Sequence, residues 1–209
     1  MKLRASLFTT AALVFSFAAP GQMLDPALLL KTPRDAWPTY NGDYSGRRFS
    51  TLSEINQSTI KTLNLAWIYR ANTGETPGAI VGGEAAAPQV SGAGGPVTGP
   101  AAGPGGFGTQ IKSTPLMVNG ILYFTTPDNT WAVDARSGRE MWHYFWRTKG
   151  GIHIGNRGVG MYGNWLYFET PDNYLVSLDA KTGKERWHVE IADVKQEYFS
   201  TPAPVVIGN

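Results

Sequence analysis

The sequence predicts an all-β protein of the β-propeller type, with only the first blades present. The first observation is a pattern written twice: ILYFTTPDNTWAVDARSGREMWH at residues 121–143 returns as WLYFETPDNYLVSLDAKTGKERWH at residues 165–188. Leu122, Tyr123, Phe124, Thr126, Pro127, Asp128 and Asn129 reappear 44 positions later, and Asp134, Ala135, Gly138 and Trp142 reappear 45 later. A period in the forties built of β-rich units marks an array whose units bury their faces only against their neighbours. The second observation is the order of signals inside one unit. Residues 115–118 and 121–124 flank Asn119-Gly120, a dipeptide that accepts positive φ at both central positions of a hairpin turn. Residues 130–133 are a third strand, 134–138 turn the chain, and 139–144 are a fourth; four short strands followed by a longer connection make a blade. The third observation is PVVIGN at 204–209, which echoes PLMVNG at 115–120 and opens a third unit. Arrays need about three or more units to be stable, so the chain is expected to be the N-terminal part of something longer.

Composition narrows the class. Of 209 residues, 42% are apolar, 12% aromatic and only 16% charged, which suits a β-rich globular protein and not a disordered one. A net charge of +2 is too small to imply nucleic acid as a partner. There is no cysteine, hence no disulfide framework and no thiolate metal site.

Residues 1–21 read as a secretory signal peptide: Lys2 and Arg4, an uncharged apolar run over 5–19, then small residues near 18–21. A membrane anchor is the alternative, but the run falls short of the ~20 residues that span a bilayer. Export, and a periplasmic location, are expected. Residues 22–72 lead into the array. Turn residues Asn41, Gly42, Asp43 and Gly46 come first; residues 50–63 carry a short helical period with Leu52, Ile55, Ile60 and Leu63 apolar; residues 65–69 are strand-like. By periodicity alone a generic α/β start reads the same way. Residues 73–110 form a Gly/Pro/Ala-rich insertion, uncharged from 85 to 111, either flexible or packed on the array as a long loop. Gly103-Pro-Gly105 has no strand–glycine–helix context and so is no phosphate loop. The blades occupy 111–209.

The pattern A-x-D-x-x-[ST]-G-[KR]-x-x-W is met at residues 132–142, and at 177–187 with Ser in the first place. It resembles the tryptophan-docking motif of the quinoprotein dehydrogenases, eight-bladed propellers that carry pyrroloquinoline quinone (PQQ), in which each such Trp is wedged between adjacent blades. W-P-x-Y-x-G-D-x-x-x-x-R-F-S-x-L-x-x-I-N, at residues 37–56, looks like that family's N-terminal lead. The resemblance covers roughly residues 36–209 apart from the insertion. Non-enzymatic PQQ-like propellers share the docking motif, so an envelope scaffold that binds partner proteins is the alternative; a blade by itself says nothing about chemistry.

More specific is KGGIHIGNRGVGMYG at 149–163. The family's alcohol dehydrogenases have an N-R-G segment here whose Arg contacts a cofactor carboxylate. The resemblance places that role on Arg157, preceded by Asn156, where a surface Arg in a glycine-rich turn is the plainer reading. PQQ is a flat tricarboxylate, and a guanidinium grips a carboxylate by two parallel hydrogen bonds. Those enzymes carry two adjacent cysteines just before the Arg; Gly151-Ile152 stand here instead. His153 then resembles the His of the membrane-type glucose dehydrogenases that lies over the quinone ring; a hydrogen-bonded turn histidine is the alternative. Thr201, in a T-x-A-P segment, matches a cofactor-bonding Thr, or else is a strand-edge Thr before Pro202. Lys112 takes approximately the place of a cofactor-contacting Glu, or is simply the first charge after the insertion. His143 and His188 follow the docking tryptophans, and Asp128 and Asp172 share one turn of each repeat, so all four read as structural.

The resemblance implies a PQQ-dependent dehydrogenase that oxidises an alcohol or sugar hydroxyl, with an Asp base, hydride transfer to the quinone, and Ca²⁺ or a lanthanide polarising its carbonyl. A downstream electron acceptor, cytochrome c or a quinone, is implied as partner. The base and the metal ligands are expected beyond Asn209, and the isolated chain is expected to be inactive.

Overall fold

Each repeat folds into a four-stranded antiparallel sheet. The computed structural model describes residues 23–84, 91–92, 95–96, 111–150 and 155–207; the expected signal peptide at 1–21, most of the Gly/Pro/Ala-rich segment and His153 lie outside the described residues. The strands are β1 (Ile80–Gly82), β2 (Ser91–Gly92), β3 (Gly95–Pro96), β4 (Leu116–Val118), β5 (Ile121–Thr126), β6 (Asn129–Asp134), β7 (Glu140–Trp146), β8 (Gly160–Tyr162), β9 (Trp165–Glu169), β10 (Tyr174–Asp179) and β11 (Glu185–Glu190). The first sheet has the order β1-β7-β6-β5-β4 and the second β11-β10-β9-β8, with β2 and β3 as a separate pair. Asn119 and Gly120, at φ 51° and 74°, close the β4–β5 hairpin, and Val118 pairs with Ile121 across it. The fourth strand runs two residues past the expected Tyr144, to Trp146, because Trp146 N–H still finds the Asp128 carbonyl (2.9 Å).

The repeated D-x-x-[ST]-G turns have one geometry. Asp134 Oδ1 accepts from the backbone N–H groups of Arg136 (3.1 Å) and Ser137 (2.7 Å) and from Ser137 Oγ (2.7 Å). Asp179 does the same with Lys181, Thr182 and Thr182 Oγ1 (3.1, 2.8 and 2.8 Å). A carboxylate that gathers three donors of its own turn fixes the turn against helix or strand. Gly138 and Gly183 close these turns at φ 71°, and each carries a ring in place of a side chain. A Cβ on Gly183 would sit 2.6 Å from the Trp142 ring, and one on Gly138 2.6 Å from the Trp67 ring. The indole N–H groups donate to the neighbouring carbonyls, Trp142 to Ala180 (3.1 Å) and Trp67 to Ala135 (3.2 Å).

The core between the sheets holds Tyr123, Tyr144 and Trp146 of the first and Leu166, Phe168, Val176 and Leu178 of the second, all buried. On the other face of the first sheet, Phe124, Trp131 and Val133 are covered by Trp67, Tyr69 and Ala71. The first sheet is therefore buried on both faces, which is why β6 is apolar or buried almost throughout.

Two expectations for the lead segment fail. The helical period at 50–63 produces one 3₁₀ turn, Ile60–Thr62, and Leu52, Ile55, Ile60 and Leu63 are all exposed. Asn56 is the reason: its side chain accepts from Ser58 and Thr59 N–H and donates to the Ser53 carbonyl, so side-chain bonds replace the helical ones. Residues 65–69 pair with no strand among the described residues; Trp67 on Gly138 and Tyr69 on Phe124 hold them. The Gly/Pro/Ala-rich segment also begins with more structure than its composition implies, since β1 adds to the outer edge of β7 in parallel, Ile80 opposite Tyr144. Upstream, Leu24 and Leu29 are buried beside the two hairpins, with Leu24 N–H on the Gly163 carbonyl (2.9 Å).

Candidate functional site

The edge strands β4 and β8 each begin a few residues after a predicted site residue, and the backbone ties these beginnings together. Thr114 N–H donates to the Arg157 carbonyl (3.1 Å), and Arg157 N–H donates to the Thr201 carbonyl (2.9 Å). Arg157 and Thr201, 44 residues apart in sequence, are thus adjacent. Gly158, at φ 126°, leaves room for the Thr114 carbonyl, which would lie 3.1 Å from a Cβ there. A Cβ on Gly155 would lie 3.0 Å from Lys112 Cδ, so the Lys112 stem passes over the start of the same turn.

Asn156 is 2% exposed, and its side-chain amide is committed to the fold. Its Oδ1 accepts from Thr125 Oγ1 and from Gly158 N–H (both 2.8 Å), and its Nδ2 donates to the Glu169 carbonyl (2.8 Å). This anchors the turn to both sheets and leaves Arg157 as its outward-facing member. Ser113 adds a second anchor by exchanging hydrogen bonds with the Thr125 backbone (3.0 and 3.1 Å).

Arg157 borders a cavity of about 470 Å³ whose other walls include Tyr40 and Tyr44 of the lead segment and Pro202 and Val205 of the third unit. That volume lies in the range of about 300–1,000 Å³ that small-molecule sites occupy. Lys112, Asn156 and Thr201 are not among its lining residues. Arg157 is exposed on that wall and, among the described residues, forms no ion pair. A guanidinium fork there suits one carboxylate of a planar acid. Glu169, at the end of β9, was not singled out in sequence: its Oε2 is buried without a hydrogen-bond partner, and burial raises its carboxyl above the usual range. Its only sequence signal is a Glu where the first repeat has Thr125.

The residues read as structural are so placed. His143 is stacked on Trp131 (ring centroids 4.8 Å apart, 10° between planes) and bonded to Asn129 Oδ1 (2.9 Å) and Thr76 Oγ1 (3.1 Å). His188 lies against Glu185 (2.6 Å), which raises its pKa. Asp172 is fully buried, with Oδ1 accepting from Trp146 Nε1 (2.8 Å) and Thr170 Oγ1 (2.6 Å) and Oδ2 from Lys149 N–H (2.9 Å). Asp128 is buried beside Asn129 (2.6 Å). Among the described residues no group of three or more His, Asp or Glu side chains is placed to hold a metal ion.

Stacked four-stranded blades with a cavity that Arg157 borders define a class, and comparison places the chain within it. Residues 37–164 match the PQQ family model described as "Glucose/ethanol/alcohol dehydrogenase, beta-propeller domain". The chain is 30% identical over 169 residues to the quinoprotein alcohol dehydrogenase PedH of Pseudomonas putida, covering 78% of this chain and 23% of that protein. It is 32% identical over 195 residues to the dehydrogenase subunit of the alcohol dehydrogenase (quinone) of Gluconacetobacter polyoxogenes, covering 83% and 21%. Among solved structures, the quinohemoprotein alcohol dehydrogenase ADHIIG of Pseudomonas putida HK5 superposes with a TM-score of 0.64 at 27% identity, over 91% of this chain and 24% of that one. A europium-containing methanol dehydrogenase gives 0.60 at 25% identity, over 88% and 28%. The chain belongs to the PQQ β-propeller dehydrogenase family. It spans about a fifth of the length of the curated relatives it matches.

Proposed function

We propose that this chain is the N-terminal part of an exported PQQ-dependent dehydrogenase that oxidises an alcohol, and that its share of the work is to hold one edge of the cofactor. The observation that carries this reading is Arg157: an unpaired guanidinium on a cavity wall, in a turn pinned by Asn156 and bonded to Thr114 and Thr201. A bound PQQ would supply the hydride acceptor for oxidation of the substrate hydroxyl. Arg157 binds a cofactor carboxylate through its fork, the Thr201 backbone fixes the height of that fork, and Gly158 lets the first blade approach closely enough to support it. Asn156 positions Arg157 and touches no ligand. Names of relatives support an alcohol as substrate and cytochrome c or a quinone as acceptor, including a 1-butanol dehydrogenase (cytochrome c) of Thauera butanivorans and the alcohol dehydrogenase (quinone) above.

The test is PQQ binding to the full-length apo-protein, followed by quenching of tryptophan fluorescence. Arg157→Ala removes a charge-assisted, two-point contact and is expected to raise Kd by about tenfold or more. An unchanged Kd sinks the reading.

A further inference from the structure

The lead segment does more than introduce the array. It runs antiparallel beside β4, with Trp37 paired to Met117, and then supplies the cavity wall at Tyr40, Asn41, Asp43 and Tyr44 opposite Arg157. Arg48 follows in the left-handed region, at φ 53°, a conformation that residues with side chains seldom adopt. From there its guanidinium lies 4.8 Å from the Tyr40 ring centroid, and Nη2 donates to Thr114 Oγ1 (3.3 Å). Thr114 is the residue whose N–H holds the Arg157 carbonyl. One threonine therefore joins both arginines, and the ring that carries Arg48 is a wall of the cavity that Arg157 borders.

Among the described residues the charged groups there are two guanidinium groups and one carboxylate, and neither Arg48 nor Arg157 forms an ion pair. The acid on the cavity wall, Asp43, turns Oδ1 to Ser45 N–H (2.8 Å) and Ser45 Oγ (2.5 Å). Arg157 lines the cavity and Arg48 lies on the Tyr40 ring that walls it, and like charges at one site favour a bound anion.

We propose that Arg48 is a second anion-binding arm of this site, taking another carboxylate of the planar polycarboxylate that Arg157 holds. Tyr40 carries the Arg48 guanidinium 4.8 Å from its ring centroid, leaving a fork that an ammonium group would not supply. The inference rests on the reading of Arg157 given above, and its test separates the two. Full-length apo-protein is titrated with PQQ, and with the trimethyl ester of PQQ, for the wild type and for Arg48→Gln, Arg48→Lys and Arg157→Ala. Melting temperatures without ligand are read in parallel.

Arg48→Gln is expected to raise the Kd for PQQ by about tenfold. Arg48→Lys, which keeps the charge and loses the fork, is expected to raise it by about threefold or more. Neither is expected to change the affinity for the uncharged ester, which a merely structural role would also weaken. If Arg157→Ala weakens PQQ and Arg48→Lys does not, the Arg48 arm is overturned and the Arg157 site stands. If neither weakens it, both fall. Equal losses for PQQ and its ester also overturn the proposal. Should Arg48→Gln fail to fold, Arg48→Lys decides by the same criteria.

Discussion

His143 sits where a proton is unwelcome. It lies flat on Trp131 with both ring nitrogens engaged, and burial depresses its pKa to about 4, against smaller opposing pulls from Glu140 and Asp128. Between about pH 6.5 and 4 the unfolded chain binds a proton that the native chain refuses, so stability falls as pH falls through that window. The full effect is about 3 kcal/mol. Denaturant midpoints at pH 7 and pH 4.5 should show the loss in the wild type and a smaller one in His143→Gln; equal pH dependence in both would refute it. At this scale the sequence was informative wherever a residue repeats. The matched positions of His143, His188, Asp128 and Asp172 mark them as structural. Arg157 was legible through the resemblance of its N-R-G segment. The work of Asn156 was not: nothing in the string shows that its amide reaches Thr125 and Glu169 on two different strands. Nor does the string bring Arg48 to Thr114, 66 residues away.

Between β9 and β10, the turn holding Asp172 stitches the second sheet to the first. Trp146 Nε1 and Lys149 N–H come from the first unit and its exit, while Thr170 Oγ1 is local. Removing the carboxylate leaves three donors without their acceptor, two of them buried, so Asp172→Ala is expected to cost about 3 kcal/mol. A shift in the guanidinium midpoint at constant slope reads this directly; no shift would place the three donors elsewhere. Strands were legible as elements because Asn119-Gly120 and the D-x-x-[ST]-G turns are local chemistry, complete within five residues. The stretch at 50–63 shows the opposite case. Its apolar spacing is helical, but no face of the described protein receives Leu52, Ile55 or Leu63, and the Asn56 side chain decides the backbone instead. Parallel addition of β1 to β7 was equally illegible, since three residues carry no period.

Across the whole molecule, the units are joined by one recurring contact: an indole of one unit on a turn glycine of the next. Trp67 on Gly138 and Trp142 on Gly183 repeat it, and Trp67 was missed in sequence because the segment around it lacks the full motif. A pair of alanine variants isolates the contact. Gly120→Ala meets nothing within 4 Å, and at φ 74° pays only the left-handed conformation, about 1 kcal/mol. Gly183→Ala has the same backbone angle plus a ring at 2.6 Å, and is expected to lose at least about 1 kcal/mol more, as the overpacking of a fitted contact does. Comparable melting temperatures for the two would show that the ring yields freely.

That contact also has a direction in time. Trp142 is made before the glycine that receives it, so until then its indole has only its own unit, at Tyr123, to lie against. At synthesis rates of about 5–20 residues per second the wait for the next turn is a matter of seconds. During that interval the nascent protein presents one large aromatic ring to its surroundings, and every new turn shields the last while exposing another. Chaperone demand should therefore pulse with the repeat, unit by unit, instead of accumulating until the chain is finished.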